Sequence, residues 1–215
     1  MRILVTGFDP FEHEPINPSW EAVRRLPDKV ADAEIIKVQI PTSFARSPEF
    51  VRDAIVRHDP DAVVSVGQAG GRFGINPERV AINLDDGRIA DNDGYQPIDT
   101  PIRADGPPAY FSSLPVKAMV TAMKGAGVPA VLSNTAGTYV CNHIMYEVLY
   151  MIEHEFPGKR GGFVHVPYTP QQVVDKPGAP SLSIDDMATA LAAGLGAVVE
   201  YQGKADEHSV GGAIH

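Results

Sequence analysis

The stretch SFARSPEFVRDAIVRHDPDAVVSVG, residues 43–67, decides the fold. Its helical part carries apolar residues at helical spacing up to the break at Asp59 and Pro60, and DAVVSVG (61–67) follows as a β-branched, almost wholly apolar run. A helix feeding a strand that is apolar on both faces is the unit of a buried α/β sheet. On the N-terminal side, RILVTGF (2–8) and AEIIKVQIP (33–41) read as strands, and Asn17 with Pro18 starts a helix between them that runs to about Leu26. On the C-terminal side, PVKAMVTAMKGAG (115–127) and CNHIMYEVLYMIEHEF (141–156) read as helices, and PAVLSN (129–134) and GGFVHVP (161–167) as strands. SIDDMATALAAGLGAVVEY (183–201) reads as a last helix, begun by a Ser183–Asp186 capping box. This alternation predicts a three-layer α/β/α sandwich around a mostly parallel or mixed central sheet.

At 215 residues and 23.1 kDa the chain has the size of one such domain. We expect a single catalytic α/β domain over 1–203, with KADEHSVGGAIH (204–215), which lacks periodicity, as a C-terminal tail outside the fold. A net charge of -9 opposes nucleic acid or anionic membrane as a partner. The longest nearly apolar run, Met187 to Val199, is shorter than the roughly 20 residues that span a bilayer. No export signal is visible, and the single cysteine fits a reducing cytoplasm. Gln68 to Pro115 is a long stretch rich in Gly, Pro, Asn and Asp, with only VAINL (80–84) strand-like inside it. Loops of that length are usually functional or disordered.

That one cysteine is the sharpest feature. SNTAGTYVCNH (133–143) places Cys141 at the start of a helix reached from the carboxyl end of a strand. Ligands gather at that edge, a helix N-terminus lowers a thiol's pKa, and its N–H groups can hold an oxyanion. Position alone fits a nucleophile and an inert buried thiol equally. A nucleophile needs a base. His143 lies about 200° around the helix from Cys141 and points elsewhere, whereas His165 ends GGFVHVP on the carboxyl edge if that strand runs parallel to the one before Cys141. An acid from the long loop would orient the imidazole, and Glu78, Asp85, Asp86, Asp91 and Asp93 compete for that role. Gly67, Gly70, Gly71 and Gly74 do not form a dinucleotide loop, and His143 with Glu147 reads as a helix-surface pair before it reads as metal ligands.

The blocks FDPF (8–11), INPSWEA (16–22), GQAGGR (67–72), ERVAIN (78–83), AYFSSLPVK (109–117), SNTAGTYVCNHIMY (133–146) and GGFVHVPY (161–168) resemble, in order, those of the pyrrolidone carboxyl peptidase (pyroglutamyl peptidase I) family. The resemblance runs to about residue 201. It implies a cytosolic cysteine peptidase, without metal or cofactor, that removes an N-terminal pyroglutamyl residue from peptides through a thioester, and that tends to form homotetramers. It places the Glu, Cys and His triad on Glu78, Cys141 and His165, an oxyanion hole on Arg88 and the Cys141 N–H, and the substrate ring among Phe8, Phe11, Asn17 and Gln68. Two departures from the family pattern stand out: Glu12 and His13 stand where glycines are usual, and Ala90 where proline is.

A pyroglutamyl group is a neutral lactam, so its pocket needs apolar walls, a donor for the ring carbonyl and an acceptor for the ring N–H. Glu12 should therefore point outward. Two rival readings keep other chemistry open: a cysteine-dependent amidase or hydrolase of another small blocked substrate, and a ligand-binding domain that has no use for Cys141.

Overall fold

A computed structural model describes residues 1–12 and 14–211, so His13 and the last four residues of the tail lie outside the described residues. The chain runs β1 (Arg2–Phe8), α1 (Pro18–Val23), β2 (Lys29–Val30), β3 (Ala33–Ile40), α2 (Arg46–His58), β4 (Ala62–Gln68), β5 (Asn76–Glu78), β6 (Val80–Ile82), β7 (Ala109–Phe111), α3 (Val116–Gly125), α4 (Val140–His154), β8 (Arg160–Val166) and α5 (Ile184–Glu200). The main sheet has the order β2-β3-β1-β4-β8-β5, while β6 and β7 form a separate ribbon. β3, β1, β4 and β8 are parallel, and β2 and β5 close the two edges antiparallel. The expected three-layer α/β/α sandwich with a mixed sheet is the observed architecture.

Alternation along the strands divides the core in two. Ile3, Val5, Val64, Val66, Val164 and Val166 meet α1, α3 and α5, whereas Leu4, Phe8, Val63 and Phe163 meet α2 and α4. Fully burying each such side chain contributes about 1.5–3 kcal/mol. Exposed ion pairs such as Arg25–Asp185 add at most about 1 kcal/mol each, so the two apolar layers carry the fold.

α1 ends at Val23, and the chain turns through Arg24 to Leu26, short of the expected helix end. The expected strand at 129–134 is a different correction. Residues 129–133 only flank β5, through Ile75 N to Pro129 O, Val131 N to Ile75 O and Ser133 N to Pro77 O, in parallel bridges. β5, whose Asn-Pro-Glu sequence has neither the length nor the apolar pattern to announce a strand, takes the place beside β8. Because β5 opposes β8, the segment before Cys141 also opposes β8, so the condition of parallel strands attached to the placing of His165 is not met. Residues 134–139 then return to the carboxyl edge, so α4 begins beside Gly67 and descends to Gly161 at the start of β8.

Within the described part of the tail, residues 204–211, Asp206 and Gly211 bond to the domain. Both carboxylate oxygens of Asp206 accept from the backbone N–H groups of Lys117 and Ala118 at 3.0 Å, capping α3, whose own N-cap, Pro115, supplies no side-chain bond. Arg79 also donates to the Gly211 carbonyl. A docking made by a few single groups leaves no periodic trace in sequence. Among the described residues no helix is long and apolar enough to cross a membrane.

Candidate active site

Register builds the site. On β4 and β8, Ser65 pairs with Phe163 and Gly67 with His165, and from the other side Glu78 pairs with Phe163. Paired positions on neighbouring strands project to one face about 4.8 Å apart, so Glu78, Phe163 and His165 all rise toward α4. Gly67 has no side chain, and the Cys141 sulfur fills the space where one would stand. A Cβ at position 67 would lie 2.7 Å from that sulfur and 2.6 Å from Phe163 Cζ. The thiol therefore occupies the side-chain position next to His165, and only glycine at 67 permits it.

His165 Nδ1 is 2.7 Å from Glu78 Oε1. A carboxylate only accepts, so the imidazole proton sits on Nδ1 and Nε2 is left as the base. Glu78 is 0% exposed and His165 3% exposed. The buried carboxylate is held by Arg72, which donates from Nη1 to the same Oε1 at 2.8 Å and from Nη2 to the Thr135 carbonyl at 2.9 Å. Sequence reasoning assigned Arg72 no role, because one arginine in a glycine-rich loop looks solvated. The available signal was Glu78 itself, since a buried carboxylate needs a cation. The competing acids are committed elsewhere: Asp85 to His143 Nδ1 at 2.7 Å, Asp91 to the N–H groups of Phe44, Asp93 and Tyr95, and Asp93 to Ser43 and Arg46. Asp86 is exposed.

Burial pushes the Cys141 thiol up to about 12, with the Glu78 charge adding to the rise and Arg72 opposing it. Burial also lowers His165, against the hydrogen bond and charge of Glu78 that raise it. Desolvation thus outweighs the lowering expected of a helix start, and it favours the uncharged form of both groups. The N-cap Tyr139 makes no side-chain cap, so the first-turn N–H groups of α4, that of Cys141 among them, remain available to an oxyanion.

A cavity of about 30 Å³ ends on Cys141, lined by Phe8, Phe11, Asn17, Thr42, Gln68, Tyr139 and Val140. It brings together all four expected ring-binding residues and adds Thr42 and Tyr139. Gly7 allows the Trp20 backbone against β1, which sets α1 and its N-cap beside Phe8. Asn17 Oδ1 caps Ser19 N at 3.0 Å, and its Nδ2 donates to the Asp9 carbonyl at 3.0 Å, so much of this amide serves the fold. Arg88 stands apart, its side chain 85% exposed and 3.8 Å from the exposed carboxylate of Glu12. Glu147 pairs with Arg103 through both oxygens, which accounts for both members of the possible metal pair with His143. Among the described residues no three His, Cys, Asp or Glu side chains are grouped to hold a metal ion.

The family model for pyroglutamyl peptidase matches residues 1–201. The pyrrolidone-carboxylate peptidases of Lactobacillus johnsonii and Lacticaseibacillus paracasei are 57% and 56% identical over the full length of both chains. Among solved structures, pyroglutamyl peptidase I from Bacillus amyloliquefaciens matches with a TM-score of 0.91 at 46% identity, covering 96% of this chain and 99% of that one. Pyrrolidone carboxyl peptidase from Thermococcus litoralis matches with a TM-score of 0.93 at 34% identity, covering 97% of this chain and 99% of that one.

Proposed function

The chain belongs to the pyroglutamyl peptidase family, and we propose that it is a cysteine peptidase hydrolysing the amide bond after an N-terminal pyroglutamyl residue of peptides. The observation that carries this reading is the cavity: two phenylalanines and two side-chain amides wall it, Cys141 closes it, and among the described residues no carboxylate lines it. An ordinary aminopeptidase needs a buried anion for the substrate ammonium, and a neutral lactam does not.

Cys141 is the nucleophile. His165 Nε2 takes its proton as the sulfur attacks the carbonyl that joins the ring to the next residue, and Glu78 holds the imidazolium so formed. The tetrahedral oxyanion accepts from the Cys141 N–H and from Arg88, which swings in from its place near Glu12; each such donor is worth about 2.7–4 kcal/mol. His165 then protonates the departing amine, and water, deprotonated by His165, cleaves the thioester and restores the thiol. The ring enters as Phe11 moves outward, since a 30 Å³ cavity holds little more than water.

Phe8 and Phe11 contact the ring faces, and Gln68 and Asn17 its polar edge. The enzyme works without metal or cofactor, in the cytoplasm, and as a homo-oligomer. The family resemblance favours a tetramer, and Ile82 and Phe111, exposed on one face of the β6–β7 ribbon, support self-association. The test is a comparison of pyroglutamyl, prolyl and glutaminyl fluorogenic amides. A prolyl ring lacks the carbonyl and carries a charge, so the reading predicts discrimination of roughly 10⁴-fold or more. Comparable kcat/KM values would refute the lactam pocket.

A further inference from the structure

Of the two ends of the Gln68 amide, the oxygen accepts and the NH2 donates, and only the NH2 suits the carbonyl of a lactam ring. Which end meets the cavity follows from a residue outside it. The backbone N–H of Thr169 donates to Gln172 Oε1 at 3.0 Å, and the Thr169 hydroxyl lies 3.3 Å from the same oxygen. A backbone N–H can only donate, so the Gln172 oxygen faces Thr169 and its NH2 faces the other way. Turning the amide over would leave the buried Thr169 N–H without its acceptor. The Gln172 Nε2 meets Gln68 Oε1 at 3.2 Å. With its oxygen engaged there, Gln68 has its own Nε2 left for the cavity that it lines. Thr169 and Gln172 form a capping box at the start of the 3-10 turn Pro170–Val173, so the relay is anchored in backbone structure.

We propose that Gln172 is a positioning residue that sets the hydrogen-bond polarity of the substrate cavity: by holding Gln68 Oε1 it commits the Gln68 NH2 to the ring carbonyl. The inference rests on the pyroglutamyl reading and gives it a direction. A side chain absent from the cavity wall thereby controls discrimination between a ring that bears a carbonyl and one that does not.

The test uses two variants of nearly the same size. Gln172→Glu keeps an acceptor for the Thr169 N–H and loses the donor, so Gln68 turns its NH2 to the new carboxylate and presents its oxygen to the ring carbonyl. Gln172→Met removes the contact and leaves Gln68 free to take either orientation. Kinetics on pyroglutamyl and prolyl amides are read together with thermal unfolding. For Gln172→Glu we expect KM for the pyroglutamyl amide to rise roughly 10- to 100-fold. kcat should change little, because the ring carbonyl is bound alike in ground and transition states. The preference over the prolyl amide should shrink accordingly, and Gln172→Met should fall between Gln172→Glu and the unaltered enzyme. An unchanged KM in folded Gln172→Glu, a fall confined to kcat, or equal losses in both folded variants would overturn the proposal. Should Gln172→Glu unfold, the Met variant decides, at a temperature below its own Tm, which falls because the Thr169 N–H loses its acceptor: a raised KM in the folded variant supports the relay, and an unchanged KM overturns it. If the unaltered enzyme shows no pyroglutamyl preference, both the reading and the relay fail; if it does and Gln172→Glu keeps it, only the relay fails.

Discussion

Replacing Gly67 by alanine adds one methyl group at the point where the nucleophile rests. The new Cβ would lie 2.7 Å from the Cys141 sulfur and 2.6 Å from Phe163 Cζ. Ordinary contacts are about 3.5–4.0 Å, so the sulfur and the ring must each retreat by about 1 Å. β4 is an interior strand, hydrogen-bonded on both sides, and does not yield easily. Overpacking of this kind costs about 1–3 kcal/mol, which for a chain of this size lowers Tm by roughly 2–12 °C. The effect on turnover should be larger, since a misplacement of about 1 Å can cost about 10²-fold. Gly162→Ala is the control: its Cβ would meet Ser112 Oγ and, at 2.7 Å, Leu114 Cδ1, on the opposite face of the sheet. Steady-state hydrolysis of a pyroglutamyl amide well below both melting points should show kcat/KM reduced about 10²-fold in Gly67→Ala and nearly intact in Gly162→Ala. Equal kcat/KM in the two variants would refute the claim that the Cys141 sulfur must occupy the space above Gly67.

His165→Ala should lose far more kcat/KM than His143→Ala, whose main effect is a lower Tm as the buried Asp85 loses its partner; equal kinetic losses would contradict the choice of base. Arg72→Met should lower stability by about 3 kcal/mol, the low end for breaking a buried pair because Arg72 is partly exposed, and a chemical denaturation midpoint unchanged from the parent would oppose this. Burial keeps the folded His165 below its ordinary 6.5, so the acid limb of kcat/KM, where the base takes up its proton, should be centred below that value. The unfolded chain then binds the proton first, so the His165 share of stability also falls as pH drops below 6.5. A pH–rate profile with its acid limb centred at or above 6.5 would contradict the desolvated imidazole.

The parallel core was legible because burial on both faces writes itself as apolar runs: RILVTGF, DAVVSVG and GGFVHVP are strands as read. Cys141 and His165 were legible because a helix start and a strand end are marked by local sequence. Glu78 could not be chosen over Asp85, Asp86, Asp91 and Asp93 from spacing, because its claim rests on β5 pairing with β8, and Asn-Pro-Glu carries no strand pattern. For the same reason the direction of residues 129–133 was hidden: an apolar run states that it is buried and not which neighbour it pairs with. Arg72 and Gln172 escaped because each acts through one hydrogen-bonded partner, Glu78 and Gln68, that is near only after folding. Asp206 acts in the same way on α3.

The chain's single cysteine makes the role of the Cys141 thiol as nucleophile directly testable. The measurement is the rate of fluorophore release from a pyroglutamyl amide, followed against the fraction of Cys141 carboxymethylated by iodoacetamide, beside Cys141→Ala, which removes the sulfur without adding bulk. Activity should fall in proportion to modification, to nothing at full alkylation, and a folded Cys141→Ala should show no turnover. Release by folded Cys141→Ala above the enzyme-free rate would contradict that role.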